Sequence, residues 1–516
     1  MNDYFSRSQL IRKPAVSSKG GIVAAQHRRA AQVGAEVLEA GGDAVDAAVA
    51  TSFAIGVVEP WMSGLAAGGA MVLWRASEQK AYAVDYGMRA PRALDPAHYP
   101  LAGTGRASDL LPWPAVKDDR NLEGATAVAV PGVVAGMALA HERMGRIPWR
   151  ELVEPAVGLA REGMLLDWYS GLLIASNARA LSRDSDAARL FLEEGRWPPL
   201  GTWTGINEKR LDQRTLAASL EQVAREGAGA LYGGELGRAL ARDVQAKGGS
   251  LSEADFGAYH AEIRDALQVP YRGGRVHVAP GMTGGPTLAQ ALKRLSAIAK
   301  PSYSDYAKAL DLAWRERLAA SGDRDESSAC TTHFSVVDRH GNLCAVTQTL
   351  LSIFGSRVVS ASTGIPLNNG IMWFDPEPGK PNSLAPGKRC LGNYCPIVGE
   401  AADGRLFALG ASGGRKIVGT VLQLASFLLD DAASLEEAFH RPRIDVSGEG
   451  RIVADQTLPR DVLAALQEVL PTVAARRTHF PYSFAVPAGV LREGDANSGC
   501  TEIMSPWGDA VAERGR

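Results

Sequence analysis

The distribution of apolar positions changes character several times along the chain. Residues 22–25, Ile-Val-Ala-Ala, form a short apolar run that predicts a buried strand, and residues 27–40 carry the three-and-four spacing of a helix. That helix should stop at Gly41-Gly42, where glycine takes the left-handed cap conformation, and Asp43 is placed to cap a second helix. The second segment, DAVDAAVATSFAIGVV, is apolar nearly all round and so belongs in the interior. Small residues crowd Ser63 to Ala70 ahead of two β-patterned runs, MVLW and AYAVDYG, which predicts close approach of backbone to backbone.

From about Pro131 to Gln268 the period is mostly helical. VVAGMALAHERMG, RELVEPAVGLAREG and ELGRALARDVQAKGG each place apolar residues at i, i+3 and i+4, with glycine near the end. Beyond residue 330 the period falls to two: residues 332–337 alternate, Asp338 to Asn342 reads as a turn, and 343–349 return as the second arm of a hairpin. A further strand at 406–409 runs into Gly410-Ala411-Ser412-Gly413-Gly414 and then into an apolar helix from about Ile417. Interleaved strands and helices place the chain in the α/β or α+β class with layered packing.

Charge and composition exclude several functions. Across 516 residues, 55 Lys+Arg against 57 Asp+Glu leave a net charge of −2, with 46% hydrophobic residues, so no bias points to nucleic acid or an anionic surface. The N-terminus lacks a signal-like apolar run and no stretch is long enough to span a bilayer, which predicts a soluble, cytoplasmic protein without a membrane partner. Five scattered cysteines, without metal-ligand spacing, predict neither a disulfide framework nor a metal site. No phosphate loop follows the glycine-rich 63–70 stretch, and Gly227-Ala228-Gly229 lies between helices with no strand before it, so no nucleotide cofactor is implied.

Two catalytic readings compete. Gly410-Ala411-Ser412-Gly413-Gly414 fits G-x-S-x-G between a strand and a helix, with Asp430 or Asp431 and then His440 or His479 following in the order a serine esterase needs. Alternatively, Thr331, at the start of a strand reading Thr331-Thr332-His333-Phe334, becomes a competent nucleophile if the chain is cut before it, because its own α-amino group then serves as base.

The second reading gains weight from a resemblance. Gly41-Gly42-Asp43-Ala44-Val45-Asp46-Ala47-Ala48, Val58-Glu59-Pro60, Val130-Pro131-Gly132, PSYSDYAKALDLA, Thr331 to Asp338, Gly364-Ile365-Pro366-Leu367-Asn368-Asn369, Pro386-Gly387-Lys388-Arg389 and Gly413-Gly414 occur in the order found in the γ-glutamyltransferase family of N-terminal-nucleophile hydrolases, which the chain resembles over nearly all of residues 20–500. The resemblance implies an αββα sandwich made as one precursor and cut between Cys330 and Thr331. The products would be a helix-rich large subunit, residues 1–330, and a small subunit, residues 331–516, which together form one αββα unit. They would pair as a heterodimer, with a dimer of heterodimers as a further form. It also implies Thr331 as nucleophile, Thr349 positioning its hydroxyl, the N–H groups of Gly413 and Gly414 as oxyanion hole, and no cofactor.

The chain departs from the family where glutamyl-specific members grip the amino-acid head. Gly87 stands at the carboxylate-binding arginine, Gly392-Asn393 at a Ser-Ser pair, Leu351 at an asparagine and Trp373 at an aspartate. An ammonium placed against Leu351 and Trp373 would be desolvated and unpaired. Arg89 and Arg415 remain as anchors for a carboxylate, and the short segment 375–388 predicts an open, shallow site. These features are similar to the oxamate amidohydrolase branch of the family, which implies a small carboxylate-bearing amide, in purine breakdown, as substrate. The alternatives are a γ-glutamyltransferase or glutathione hydrolase, a related cephalosporin- or glutaryl-type acylase, and an uncut, silent relative.

Overall fold

In a computed structural model, residues 11–106, 113–200, 209–321 and 330–514 are described. Strands with apolar residues at every position need cover on both faces, and the chain provides it by stacking two seven-stranded antiparallel sheets. The first runs Asp509–Ala512, Ile22–Ala25, Cys330–Val337, Leu343–Leu351, Gly68–Arg75, Lys80–Tyr86, Glu262–Asp265. The second runs Val16–Ser18, Ala496–Thr501, Val486–Glu493, Leu406–Ser412, Ile397–Glu400, Gly274–Val278, Leu267–Tyr271.

Alternation along each strand divides the interior into three layers. Val23, Met71, Leu73, Phe334, Val336 and Val346 of the first sheet pack with the helices Arg28–Glu39, Ala44–Val58 and Trp149–Glu162. Their neighbours Ile22, Ala24, Val72, Trp74, Val337 and Ala345 point the other way and meet Val398, Ala408, Ala488 and Val490 of the second sheet. The outer face of that sheet, with Ile397, Phe407 and Leu409, packs with the helices Gly285–Leu295, Tyr303–Ser321 and Lys416–Asp430. The layer order is helix, sheet, sheet, helix, as the resemblance implies.

The local expectations translate closely. The helix Arg28–Glu39 is followed by Gly41 at φ +100°, and Asp43 caps the next helix through Val45 N and Asp46 N, with Asp46 returning the bond to Asp43 N. All fifteen residues of Ala44–Val58 are buried. A side chain at Gly69 would begin 2.2 Å from the carbonyl oxygen of Thr347, so the strand pairing there requires glycine. Gly227–Ala230 is a 3₁₀ turn between two helices. Cys344, Cys390, Cys395 and Cys500 are buried free thiols, while the side chain of Cys330 lies outside the described residues. Among the described residues no helix is long and apolar enough to cross a membrane.

Candidate active site

The strand Cys330–Val337 begins at an irregularity. Cys330 pairs with Leu351 and Thr332 with Gln348, so Thr331 stands opposite two residues, Thr349 and Leu350, in a β-bulge. The Oγ1 atoms of Thr331 and Thr349 lie 3.5 Å apart, and the Thr349 oxygen accepts a 2.7 Å bond from Leu351 N. Thr332 projects to the opposite face and donates from Oγ1 to Glu59 Oε2 at 2.8 Å. Glu59 is fully enclosed, and burial pushes its carboxyl up to about 7, the bond from Thr332 pulling the other way. His333 is held by Thr347 and Ser335 through its two ring nitrogens at 2.8 and 3.0 Å, and burial lowers it to about 3. A neutral imidazole with both nitrogens engaged is a structural residue.

Across the inter-sheet space, Gly410 leaves room for the His333 ring, which a side chain there would meet at 2.3 Å. Ser412 exchanges hydrogen bonds with the Gln26 amide at 2.7 and 3.0 Å, which sets the following Gly413-Gly414 turn at the end of the sheet where Thr331 lies. Gly413 and Gly414 adopt φ +130° and +60°, and a side chain at Gly413 would begin 2.9 Å from Ala485 Cα. The turn leads into the helix Lys416–Asp430, whose first two amides bond back to Gly413 O and Gly414 O at 3.2 and 3.3 Å, at the positive end of the helix dipole. The esterase reading finds no support. Ser412 is tied to Gln26, His440 lies between Lys13 N and Glu436 O, His479 packs against the Tyr169 and Tyr482 rings, Asp430 is bonded to Tyr271, Arg272 and Ser426, and Asp431 to Arg441.

The wall beside Thr331 is apolar. Leu351, at φ +87°, and Trp373 are buried in the inter-sheet core, Trp373 meeting Tyr394 edge-on at 5.3 Å. At Gly87 a side chain would begin 2.8 Å from the Tyr394 hydroxyl and 3.6 Å from Arg389 Nη1, so the space of the lost arginine is occupied. Arg389 is paired with Asp85 at 2.9 Å and Glu262 at 3.3 Å. Asn393 Oδ1 accepts from Arg317 at 3.2 Å, a half-buried arginine that also donates to Gly392 O and that sequence reasoning missed. Arg89 lies 3.6 Å from Glu262, and its buried Nε has no partner among the described residues.

One expectation is corrected. Arg415 does not face the wall. It is buried, donates to the Ser447 carbonyl and lies 5.4 Å from the Trp314 ring, because the interior offers its guanidinium an aromatic face and a carbonyl. In the continuous chain Thr331 is 4% exposed, and Leu351 and Trp373 belong to the same buried apolar cluster. The 375–388 segment folds back, with Leu384 N on Asp375 O and Gly387 N on Ala90 O.

A family model described as Gamma-glutamyltranspeptidase matches residues 30–328 and 300–506. The chain belongs to the gamma-glutamyltranspeptidase family. As a member it is a hydrolase of amide bonds. It is similar to an acylase ACY 1 proenzyme of Pseudomonas sp. (strain V22), 36% identical over 503 residues, covering 88% of this chain and 87% of that protein. It is also similar to a glutathione hydrolase proenzyme of Bacillus subtilis (strain 168), 29% identical over 511 residues, covering 87% and 84%. The fold matches that of a cephalosporin acylase from Bacillus halodurans, with a TM-score of 0.84 at 23% identity and full coverage of both chains. Within this gamma-glutamyltranspeptidase framework, Glu59 and Thr332 are the pair the sequence did not single out. Val58-Glu59-Pro60 carries the family resemblance, but nothing in its spacing indicates that the carboxylate reaches the third residue of a strand more than 270 positions away.

Proposed function

We propose that this gamma-glutamyltranspeptidase-family chain is a self-cutting threonine amidohydrolase of the acylase kind, acting on amides whose acyl group carries a carboxylate but no α-ammonium. The observation that carries the reading is the pairing of Thr331 and Thr349 in the bulge next to Leu351, whose apolar side chain offers an ammonium no hydrogen-bond partner. In the precursor, Thr331 Oγ1 attacks the Cys330 carbonyl. The acyl group moves from nitrogen to oxygen, which frees the Thr331 amino group, and water hydrolyses the ester, which releases the Cys330 carboxyl and returns the Thr331 hydroxyl. In the cut enzyme that amine takes the hydroxyl proton as Oγ1 attacks the substrate carbonyl. The Gly413 and Gly414 amides receive the oxyanion, donors typically worth about 3 kcal/mol each. The proton passes to the departing amine, and water then releases the acyl group from Thr331 as an acid.

Arg89, with a buried nitrogen still to be satisfied, favours short carboxylates, and oxamate is the smallest of these. The apolar wall and the acylase relatives favour a longer glutaryl-type chain equally. The deciding comparison uses glutaryl-p-nitroanilide and γ-glutamyl-p-nitroanilide, which differ only in the α-ammonium, with ammonia release from oxamate alongside. Purified cut protein is expected to prefer the glutaryl compound by about 100-fold in kcat/KM, equivalent to about 3 kcal/mol. Preference for the γ-glutamyl compound would overturn the substrate assignment. A Thr331→Ala protein that still cuts itself or turns over would overturn the mechanism.

A further inference from the structure

The turn that follows the buried helix Ala44–Val58 grips both sides of the bulge at Thr331. On one side, Glu59 accepts the 2.8 Å bond from the Thr332 hydroxyl. On the other, Met62 O accepts from Leu350 N at 2.9 Å, the amide opposite the bulge, and Trp61 O accepts from Phe354 N at 2.9 Å. The turn itself is fixed to the helix by Glu59 N on Ile55 O and Met62 N on Glu59 O, at 2.8 and 2.9 Å. A nucleophile at a new chain end faces a specific physical problem. Scission removes the peptide link that holds Thr331 in line, strand ends fray readily, and the bulge interrupts the regular ladder there. The first side chain beyond Thr331 that could resist fraying is Thr332, and it is bonded to a fully buried carboxylate from the helical layer.

We propose that Glu59 is a positioning residue, a latch that acts through Thr332 from the face opposite the nucleophile and keeps the cut end of the strand aligned with Thr349 and the Gly413-Gly414 turn. This rests on Thr331 being the nucleophile. A misplaced attacking group lowers the rate of the chemical step while leaving the binding wall intact, so the loss belongs in kcat rather than KM. The hydroxyl donor is tested by Thr332→Val, which keeps shape, and Thr332→Ser, which keeps the donor. The acceptor is tested by Glu59→Gln, which keeps an acceptor oxygen, and Glu59→Leu, which does not.

Each variant is isolated as cut protein and assayed on glutaryl-p-nitroanilide. The latch predicts that Thr332→Val and Glu59→Leu each lower kcat at least tenfold with KM within about twofold. Their combination should be no worse than either alone, because both break one contact. Thr332→Ser and Glu59→Gln should keep kcat within about threefold. Glu59→Leu buries a different shape and can lose the fold. The Thr332→Val and Thr332→Ser pair decides the matter without it. A cut, folded Thr332→Val enzyme with wild-type kcat overturns the latch and leaves the nucleophile assignment standing. Turnover surviving in Thr331→Ala overturns both.

Discussion

At the scale of single residues, Leu351 links backbone strain to substrate choice. Its φ of +87° lies in the left-handed region, where a branched-chain residue is costly and asparagine is tolerated through its short polar side chain. Asparagine is also the residue that glutamyl-specific members place here to meet the substrate ammonium. Leu351→Asn therefore relaxes the backbone and adds an acceptor to the wall, at the expense of apolar packing in a position that is wholly buried. The expected outcome is a rise of about tenfold in the γ-glutamyl to glutaryl kcat/KM ratio, read on the two anilides. An unchanged ratio would show that the wall near Leu351 does not contact the acyl head.

At the scale of elements, the helix Ala44–Val58 ends on Glu59, so a carboxylate sits both in the interior and at the negative end of a helix dipole. Both effects disfavour its charge, and burial alone moves the carboxyl from its ordinary value near 4.5 to about 7 against the pull of the Thr332 bond. Between those values the folded chain holds a proton that the unfolded chain has lost, so stability should fall as pH rises from 4.5 to 7 and level off above. The size is on the order of 3 kcal/mol. Denaturant melts of wild type and Glu59→Gln at several pH values should differ in this window. Parallel curves would mean that Glu59 is ionised without cost. The same element shows what was legible beforehand. Its start at Asp43, its burial and its stop at Glu59 follow from local capping and all-round apolarity. The strand hairpin after residue 330 and the Gly413-Gly414 turn follow equally from period and glycine spacing. The reach of Glu59 to Thr332, the support of Asn393 by Arg317 and the inward turn of Arg415 depend on how distant layers stack, and no local pattern encodes them.

At the scale of the whole molecule, the position of Thr331 makes scission a cut through shared sheets rather than between domains. Cys330–Val337 lies between Ile22–Ala25 and Leu343–Leu351, and Leu343–Leu351 pairs in turn with Gly68–Arg75, so strands from before residue 331 flank those after it on both sides. The second sheet mixes them as well, with Val16–Ser18 on Ala496–Thr501 and Gly274–Val278 on Ile397–Glu400. Breaking one peptide bond leaves these ladders and the three apolar layers intact. Lys13 adds a tie of a different kind: its ammonium donates to the carbonyls of Glu502, Ser505 and Gly508 at 3.0, 2.8 and 2.7 Å, joining the N-terminal segment to the last turns of the chain. Cut protein is therefore expected to run as one particle under native conditions and as two bands after denaturation. Lys13→Met would strand three carbonyls and should lower stability by about 2–3 kcal/mol, with no change in kcat, since the contact lies outside the catalytic groups. Native separation of the halves in wild type would mean that the shared strands contribute far less than their burial implies. An unchanged melting temperature in Lys13→Met would show that water replaces the ammonium at those carbonyls without loss.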